Sequence, residues 1–268
     1  MPELPEVETI SRSIASNIGA KIDRLEFRRT DIIRVEDFPP DIIAGKAIKN
    51  IYRRGKFLVM VLPRLHHLVV HLGMSGRFYM LDKNEEAADK HVHLVIHMSN
   101  GRKLVYQDAR RFGGVWLVND IEAFFCRMGP EPLGDEFTSD YLEQVLKGRH
   151  TAVKNLLLDQ NLIAGIGNIY ADEALFAAGI RPDRPADSLS RQEVVKLWQA
   201  IREVLAKSIA ARGTTFRDYR DGYNQSGGFQ HQLKVYGKEQ QPCSCCGGTI
   251  QKGRIGGRGT HYCEKCQE

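Results

Sequence analysis

The last 26 residues carry five of the six cysteines, and their spacing restricts the fold more than any other feature of the chain. Cys243-x₂-Cys246 is followed, after sixteen residues, by Cys263-x₂-Cys266, which is zinc-ribbon spacing. Each pair sits on a tight turn and supplies two thiolates to one tetrahedral ion. With cysteine at all four positions no site is open to water. The expected cofactor is therefore one structural Zn²⁺ that holds the fold and takes no part in chemistry. Disulfides are the competing reading, but a disulfide framework spreads its cysteines through a small secreted chain, and here only Cys126 lies elsewhere. Cys245 sits inside the first pair as a rival ligand, and the x₂ spacing favours Cys246. Between the pairs, Lys252, Arg254 and Arg258 stand among glycines. Such a hairpin tip, pinned at its base by metal, presents guanidinium groups to phosphates. Taken alone, the plainer reading is a solvated turn with incidental charges.

A ribbon of this size leaves most of the chain to build its own cores. At 268 residues, with 42% hydrophobic and 26% charged side chains, the chain is long enough for two globular domains. A net charge of +5 permits a nucleic-acid partner without requiring one. No stretch approaches the ~20 apolar residues that span a bilayer, and no basic-then-apolar signal pattern opens the chain. An intracellular protein with no membrane partner is expected.

At the other end, Pro2 and Glu3 follow Met1. Removal of Met1 would leave proline's secondary amine as the terminus. A terminal amine has a pKa of ~7.7–8.0 against ~10.4 for lysine, so its neutral fraction at pH 7 is larger by roughly two to three orders of magnitude. Condensed with a sugar carbonyl, a secondary amine gives a cationic iminium, which is an electron sink. Glu3 and Glu6 would place acid–base groups beside that amine. The same residues also read as an ordinary Pro/Glu helix start, and by themselves they do not choose between the two.

Val7, Ile10, Ile14 and Ile18 predict a helix over 5–18, with Pro5 in its first turn and Gly19 at its stop. Glu6, about one turn in, would reach back toward Pro2. From about 21 to 118 the period becomes that of strands. Residues 57–62 are an apolar run. Val92, Leu94, Ile96 and Met98 alternate with His91, His93 and His97, as in a strand with one buried face, and Asn100-Gly101 supplies a hairpin turn. Residues 1–129 therefore read as a mostly antiparallel β-sandwich with one N-terminal helix. Gly and Pro at 129–134 mark a linker over 130–136. Helix candidates follow at 138–147, 151–159 and 169–178. Ser190 with Glu193 forms a capping box that opens a long amphipathic helix ending near Gly213. The polar segment 217–228 is expected to be a mobile loop, and 229–268 the metal-binding module.

Gly165-Ile166-Gly167-Asn168, opening a helix, suits backbone N–H donation to a phosphate, although such loops are common. Arg110-Arg111-Phe112-Gly113 and His71-Leu72-Gly73-Met74 each join a cation or imidazole to a bulky apolar side chain. Apolar wedges beside phosphate contacts are the device of DNA-kinking proteins; for Met74 or Phe112 alone, core packing is the plainer reading. His91, His93 and His97 lack the accompanying cysteine or carboxylate set of a metal site and are read as solvent- or backbone-facing.

Together these motifs resemble the bacterial formamidopyrimidine-DNA glycosylase family: the Pro2–Glu8 opening, Arg54-Gly55-Lys56-Phe57, the Met74 and Arg110–Phe112 loops, Gly165 to Glu173, and the Cys₄ hairpin. The likeness runs along essentially the whole chain, and Leu4 sets it apart from the sister branch that removes oxidised pyrimidines, where glycine is usual. The resemblance implies an α+β fold: a β-sandwich lobe with its N-terminal helix, then a helix–two-turn–helix lobe over 137–228 ending in a zinc-finger hairpin, with DNA in the cleft. It implies a bifunctional reaction on damaged duplex DNA. Pro2 would attack the sugar C1′ of 8-oxoguanine or formamidopyrimidine nucleotides, Glu3 would protonate the opening ring oxygen, and β- then δ-elimination would cut the strand. Glu6 would support the site by hydrogen bonding. Lys56 would serve DNA contact and elimination, and Arg258 the phosphates. By position His71, His91, Arg111, Arg149, Lys154 and Asn168 match DNA contacts, while Met74, Arg110 and Phe112 match the residues that fill the gap left by an everted nucleotide. The segment 217–228 would cover the lesion. A monomer in the bacterial cytoplasm, associated with the nucleoid through DNA, is expected.

Overall fold

A computed structural model describes residues 1–268. The chain divides into two compact units, 1–127 with 211–230, and 128–210 with 231–268.

The first unit opens with α1 (Leu4–Ile14), followed by nine strands and a short helix: β1 (Ile22–Phe27), β2 (Ile33–Glu36), β3 (Asn50–Arg54), β4 (Phe57–Val61), β5 (His67–His71), β6 (Arg77–Leu81), β7 (Val92–Met98), β8 (Lys103–Gln107), β9 (Gly114–Val118) and α2 (Ile121–Phe125). They form a four-stranded sheet in the order β1-β7-β8-β6 and a five-stranded sheet in the order β2-β9-β5-β4-β3. All pairings are antiparallel except β2 with β9. Val7, Ile10 and Ile14 of α1 enter one core with Leu58, Met60, Leu68 and Val70 of the second sheet and Phe78, Leu94, Ile96 and Tyr106 of the first. The predicted sandwich is thus present, and its N-terminal helix packs against β3, β4 and β6.

Two strands depart from simple alternation for the same reason. The outer face of β4 is covered by a second cluster, in which Val59, Val69 and Val118 meet Phe57, Trp116, Phe124 and Phe125, partly from α2. A strand covered on both faces reads as an apolar run. On β7, Leu94, Ile96 and Met98 face the main core while Val92 and Val95 join Tyr79 and Val105 on the other side. The face expected to be polar is therefore largely apolar. The pairing with β8 slips between Val92 and Leu94, and His93, 3% exposed, donates from Nε2 to the carbonyl of Asp108 at 2.8 Å. The backbone-facing reading holds for His93, while His97 bonds Glu26 at 3.1 Å.

The second unit contains α3 (Ser139–Leu146), α4 (Val153–Leu158), α5 (Asn168–Ala178), α6 (Arg191–Ala210) and the hairpin β10 (Gln251–Ile255) and β11 (Arg258–Tyr262). The Ser190–Glu193 capping box forms: the Ser190 N–H donates to Glu193 Oε2 at 2.7 Å and the Glu193 N–H to Ser190 Oγ at 3.4 Å. Helix α5 is buried from Ile169 to Phe176, as a helix apolar on all sides must be. The expected linker is not free. Arg202 of α6 donates to the carbonyls of Pro132 and Gly134, and a Cβ on Gly129 would lie 2.4 Å from Leu162 backbone atoms. A connector with such contacts belongs to the unit it touches. Residues 211–228, assigned from the sequence to the helical domain and its loop, and 229–230, assigned to the metal-binding module, group instead with the first unit. No helix is long and apolar enough to cross a membrane.

Candidate active site

The N-terminal residues are fixed by the start of α1. Pro2 is buried, Glu3 is 3% exposed and occupies the N-cap with extended dihedrals. The Glu3 N–H donates to Glu6 Oε2 at 2.8 Å, so the predicted reach of Glu6 toward the terminus is realised through the backbone next to Pro2. Glu6 is 1% exposed, a burial that a carboxylate tolerates only when its oxygens are hydrogen-bonded. Its Oε1 accepts from the Thr214 N–H at 2.7 Å. The approach needs glycine at 213, where φ is +79° and a Cβ would sit 2.9 Å from that oxygen. Tyr219 closes the arrangement by donating to the carbonyls of Arg212 and Glu6. Thr214, and Tyr219 at the start of the 217–228 segment expected as a mobile loop, thereby tie this stretch to α1.

Lys56 lies in the turn between β3 and β4 and is 7% exposed. Antiparallel register places Phe57 opposite His71, their rings 4.8 Å apart. Burial, and then the positive charge of Lys56, push the His71 imidazole down to about 4. A neutral ring fits the geometry, since the Gly73 N–H donates to His71 Nδ1 at 3.2 Å. Glu8 joins α1 to β3 through Arg53 at 3.0 Å; burial pushes its carboxyl up, but Arg12 and Arg53 outweigh this and hold it below the usual range.

Met74 and Phe112 are two of the few large apolar side chains that are exposed, at 44% and 57%. Core packing is excluded for both. The Arg110 guanidinium lies 4.6 Å from the Phe112 ring centroid. Arg111, in the left-handed region at φ +54°, pairs with Asp31 at 2.7 Å. The carbonyl of His91 accepts from the Asp108 N–H at 3.0 Å, which holds His91 at the foot of the same loop. In the second unit Arg149 is exposed between α3 and α4, and Asn168 is the first residue of α5, capped by Gly167.

Helix α5 mounts the metal-binding hairpin. The four sulfurs of Cys243, Cys246, Cys263 and Cys266 lie within 4.8 Å of one another. Two of the pairs stand 3.8 and 3.5 Å apart, close to the ~3.8 Å edge of a tetrahedron with ~2.3 Å Zn–S bonds and far beyond a disulfide. The N–H groups of Cys245 and Gly248 donate to Cys243 and Cys246 sulfurs. Burial pushes the Cys243 thiol up, yet the N–H groups of Cys245 and Cys246 bring it down to about 7, while the neighbouring Cys246 thiol and burial push Cys266 up. These residues hold one zinc ion; Cys245, exposed, lies outside the set.

Lys154 departs from its expected role as a DNA contact. It is completely buried, and its ammonium group faces Asp172 Oδ1 at 2.7 Å, Thr260 Oγ1 at 2.8 Å and the Gly259 carbonyl at 3.0 Å. A charge so enclosed acts on the hairpin, not on a ligand. Asn168 donates to the same Gly259 carbonyl. Asp172 Oδ2 accepts from the His261 N–H, and Glu173 accepts from the N–H groups of Lys234, Val235 and Tyr236. Burial pushes the Glu173 carboxyl up, against those three bonds. At the tip, a Cβ on Gly256 would lie 2.2 Å from Asn155 of α4. Arg258, next along, is exposed, and Lys252 is paired with Glu239 at 2.7 Å. Sequence reasoning passed over Asp172 and Glu173 as site residues, although two acids inside an apolar helix signal buried partners.

The chain is similar to known proteins along its length. Residues 1–115 match the formamidopyrimidine-DNA glycosylase N-terminal domain, 128–220 its H2TH domain, and 240–268 the zinc finger found in FPG and IleRS. A formamidopyrimidine-DNA glycosylase of Syntrophomonas wolfei is 56% identical over all 268 residues of both chains. Among solved structures, a Lactococcus lactis FPG mutant in complex with a Fapy-dG containing DNA aligns with a TM-score of 0.92 at 35% identity, covering all of both chains. MutM in complex with carbocyclic 8-oxo-G containing DNA aligns equally well, at 0.92 and 35% over the whole of both. With matching domains over most of its length and a relative 56% identical along the whole of it, the chain belongs to the formamidopyrimidine-DNA glycosylase family.

Proposed function

We propose that the chain is a bifunctional DNA glycosylase and abasic-site lyase that removes oxidised purines, 8-oxoguanine and formamidopyrimidines, from duplex DNA. The observation that carries this reading is the burial of Pro2 and Glu3 at a helix start whose backbone is held by the Glu6 carboxylate. With Met1 removed, the Pro2 nitrogen attacks C1′ of the damaged nucleotide and the base leaves with the bonding electron pair. Glu3 delivers a proton to the ring oxygen as the sugar opens, giving an iminium between Pro2 and C1′. That cation acidifies C2′. Loss of a C2′ proton expels the 3′ phosphate, and a second elimination expels the 5′ phosphate. Lys56 and Arg258 serve DNA contact and these eliminations, and Glu6 keeps the N-terminal backbone in place. His71, His91, Arg111, Arg149 and the N-terminus of α5 contact the DNA. Met74, Arg110 and Phe112 fill the gap of the everted nucleotide, which offsets part of the few kcal/mol that unstacking costs. Zinc supplies no chemistry here; it holds the hairpin that carries Arg258. Such a substrate places the work of the protein at the bacterial nucleoid.

Borohydride trapping tests the reading. A covalent adduct is expected with 8-oxoguanine duplex and with abasic duplex, mapped by mass spectrometry to residue 2 and lost in Pro2→Gly. An adduct on another side chain, or a signal strongest with thymine-glycol duplex, rejects it.

A further inference from the structure

Two loops leave the same end of the β-sandwich side by side. Residues 72–76 run from β5 in one sheet to β6 in the other, and residues 108–113 run back from β8 to β9. Strand register ties them at both ends, with His71 opposite Gly114 and Arg77 opposite Gln107. Between those ends neither loop has secondary structure of its own, yet each carries an exposed apolar side chain, Met74 and Phe112.

We propose that Asp108 and Ser75 latch these two loops into one rigid wedge, and that both are positioning residues for its insertion into the base stack. The Asp108 side chain is completely buried. Its Oδ1 accepts from Ser75 Oγ at 2.6 Å and from the Arg110 N–H at 3.3 Å; its Oδ2 accepts from the Gly113 N–H at 2.9 Å and from Tyr106 Oη at 3.3 Å. The Arg110 N–H also reaches Ser75 Oγ at 3.2 Å. One carboxylate therefore holds the first loop by a hydroxyl and the second by two backbone donors on either side of Phe112.

The backbones meet as well. A Cβ on Gly73 would lie 2.4 Å from the Gly113 nitrogen, and one on Gly113 would lie 2.2 Å from the His71 carbonyl. Arg34 grips the second loop from outside through the carbonyls of Arg111 and Gly113. A buried carboxylate is costly unless fully hydrogen-bonded. A core position would be filled equally well by an apolar residue, so this carboxylate answers a different need. Loop ordering at the moment of binding consumes binding free energy, and a pre-ordered wedge avoids that loss.

The inference rests on the reading of this chain as a base-everting glycosylase, and the test separates the two. Ser75→Ala and Asp108→Asn are compared with the parent on a duplex carrying 2-aminopurine beside 8-oxoguanine, where fluorescence reports opening of the stack. Under single-turnover conditions the rates of opening and of excision are expected to fall about tenfold in Ser75→Ala, the effect of one hydrogen bond to a charged group. Borohydride trapping on abasic duplex, where no base has to leave the stack, stays within about twofold. Ser75→Thr keeps the hydroxyl and stays close to the parent. Should Asp108→Asn fail to fold, the two Ser75 variants carry the test. Parent-like opening in Ser75→Ala, or an equal loss on both duplexes, overturns the latch. A parent that forms no adduct with abasic duplex overturns the glycosylase reading instead.

Discussion

The imidazole of His71 is held neutral from two directions, by burial beside Lys56 and by the Gly73 N–H that needs the Nδ1 lone pair. Its affinity for protons is lowered to about 4 from an ordinary 6.5. Between these values the unfolded chain binds more protons than the folded one, so stability rises with pH across that window and is lost as pH falls through it. In His71→Asn this contribution disappears. Across pH 4 to 6.5 the parent should gain about 2–3 kcal/mol relative to the variant, after allowance for partial exposure of the ring. Denaturant titrations of both proteins at several pH values measure it; parallel pH profiles would show that His71 titrates normally. Glu6 behaves differently at the same scale. Its two oxygens serve backbone donors at residues 3 and 214, so its work is to hold chain segments together.

At the scale of elements, α5 shows how a helix can be both core and mount. Its apolar side chains are buried among the other helices of the unit, while Asp172 and Glu173 hold the backbone at His261 and at 234–236. The ion pair of Asp172 with Lys154 has no solvent exposure on either side chain. Removing the lysine takes from the buried Asp172 carboxylate its opposite charge at Oδ1, which costs about 3–5 kcal/mol. Lys154→Met should therefore lower stability by that order in urea unfolding and loosen the hairpin, seen as faster amide exchange at Gly259 and Thr260. A change within a few tenths of a kcal/mol would mean that the pair is replaceable.

Across the whole molecule the chain is discontinuous. It completes α6 in the second unit, contributes 211–230 to the first, and returns at 231 to form the hairpin. The returning segment then depends on its metal, because four thiolates without an ion would repel one another at 3.5–3.8 Å. Cys246→Ser should lower the zinc content below one per chain and weaken DNA binding, whereas Cys245→Ser should retain full zinc by metal analysis. Equal zinc in both variants would mean that Cys245 replaces Cys246 as a ligand.

Legibility in the sequence followed the range of the interactions. The Ser190–Glu193 box, the helix at the N-terminus, the Asn100-Gly101 turn and the paired cysteines all rest on neighbours within a turn or a strand, and each could be read from spacing. The family likeness added the site residues by position. What the sequence by itself determined was therefore the elements, the metal and the chemical types at the site. Tertiary structure decided which of those side chains stay available. Lys154 looks like a cation for phosphate until Thr260, 106 residues on, encloses it. Asp108 has no visible purpose until Ser75, 33 residues earlier, meets it, and Thr214 finds Glu6 across 208 residues. A buried polar group must find its partner wherever packing brings one, and no local pattern records that distance.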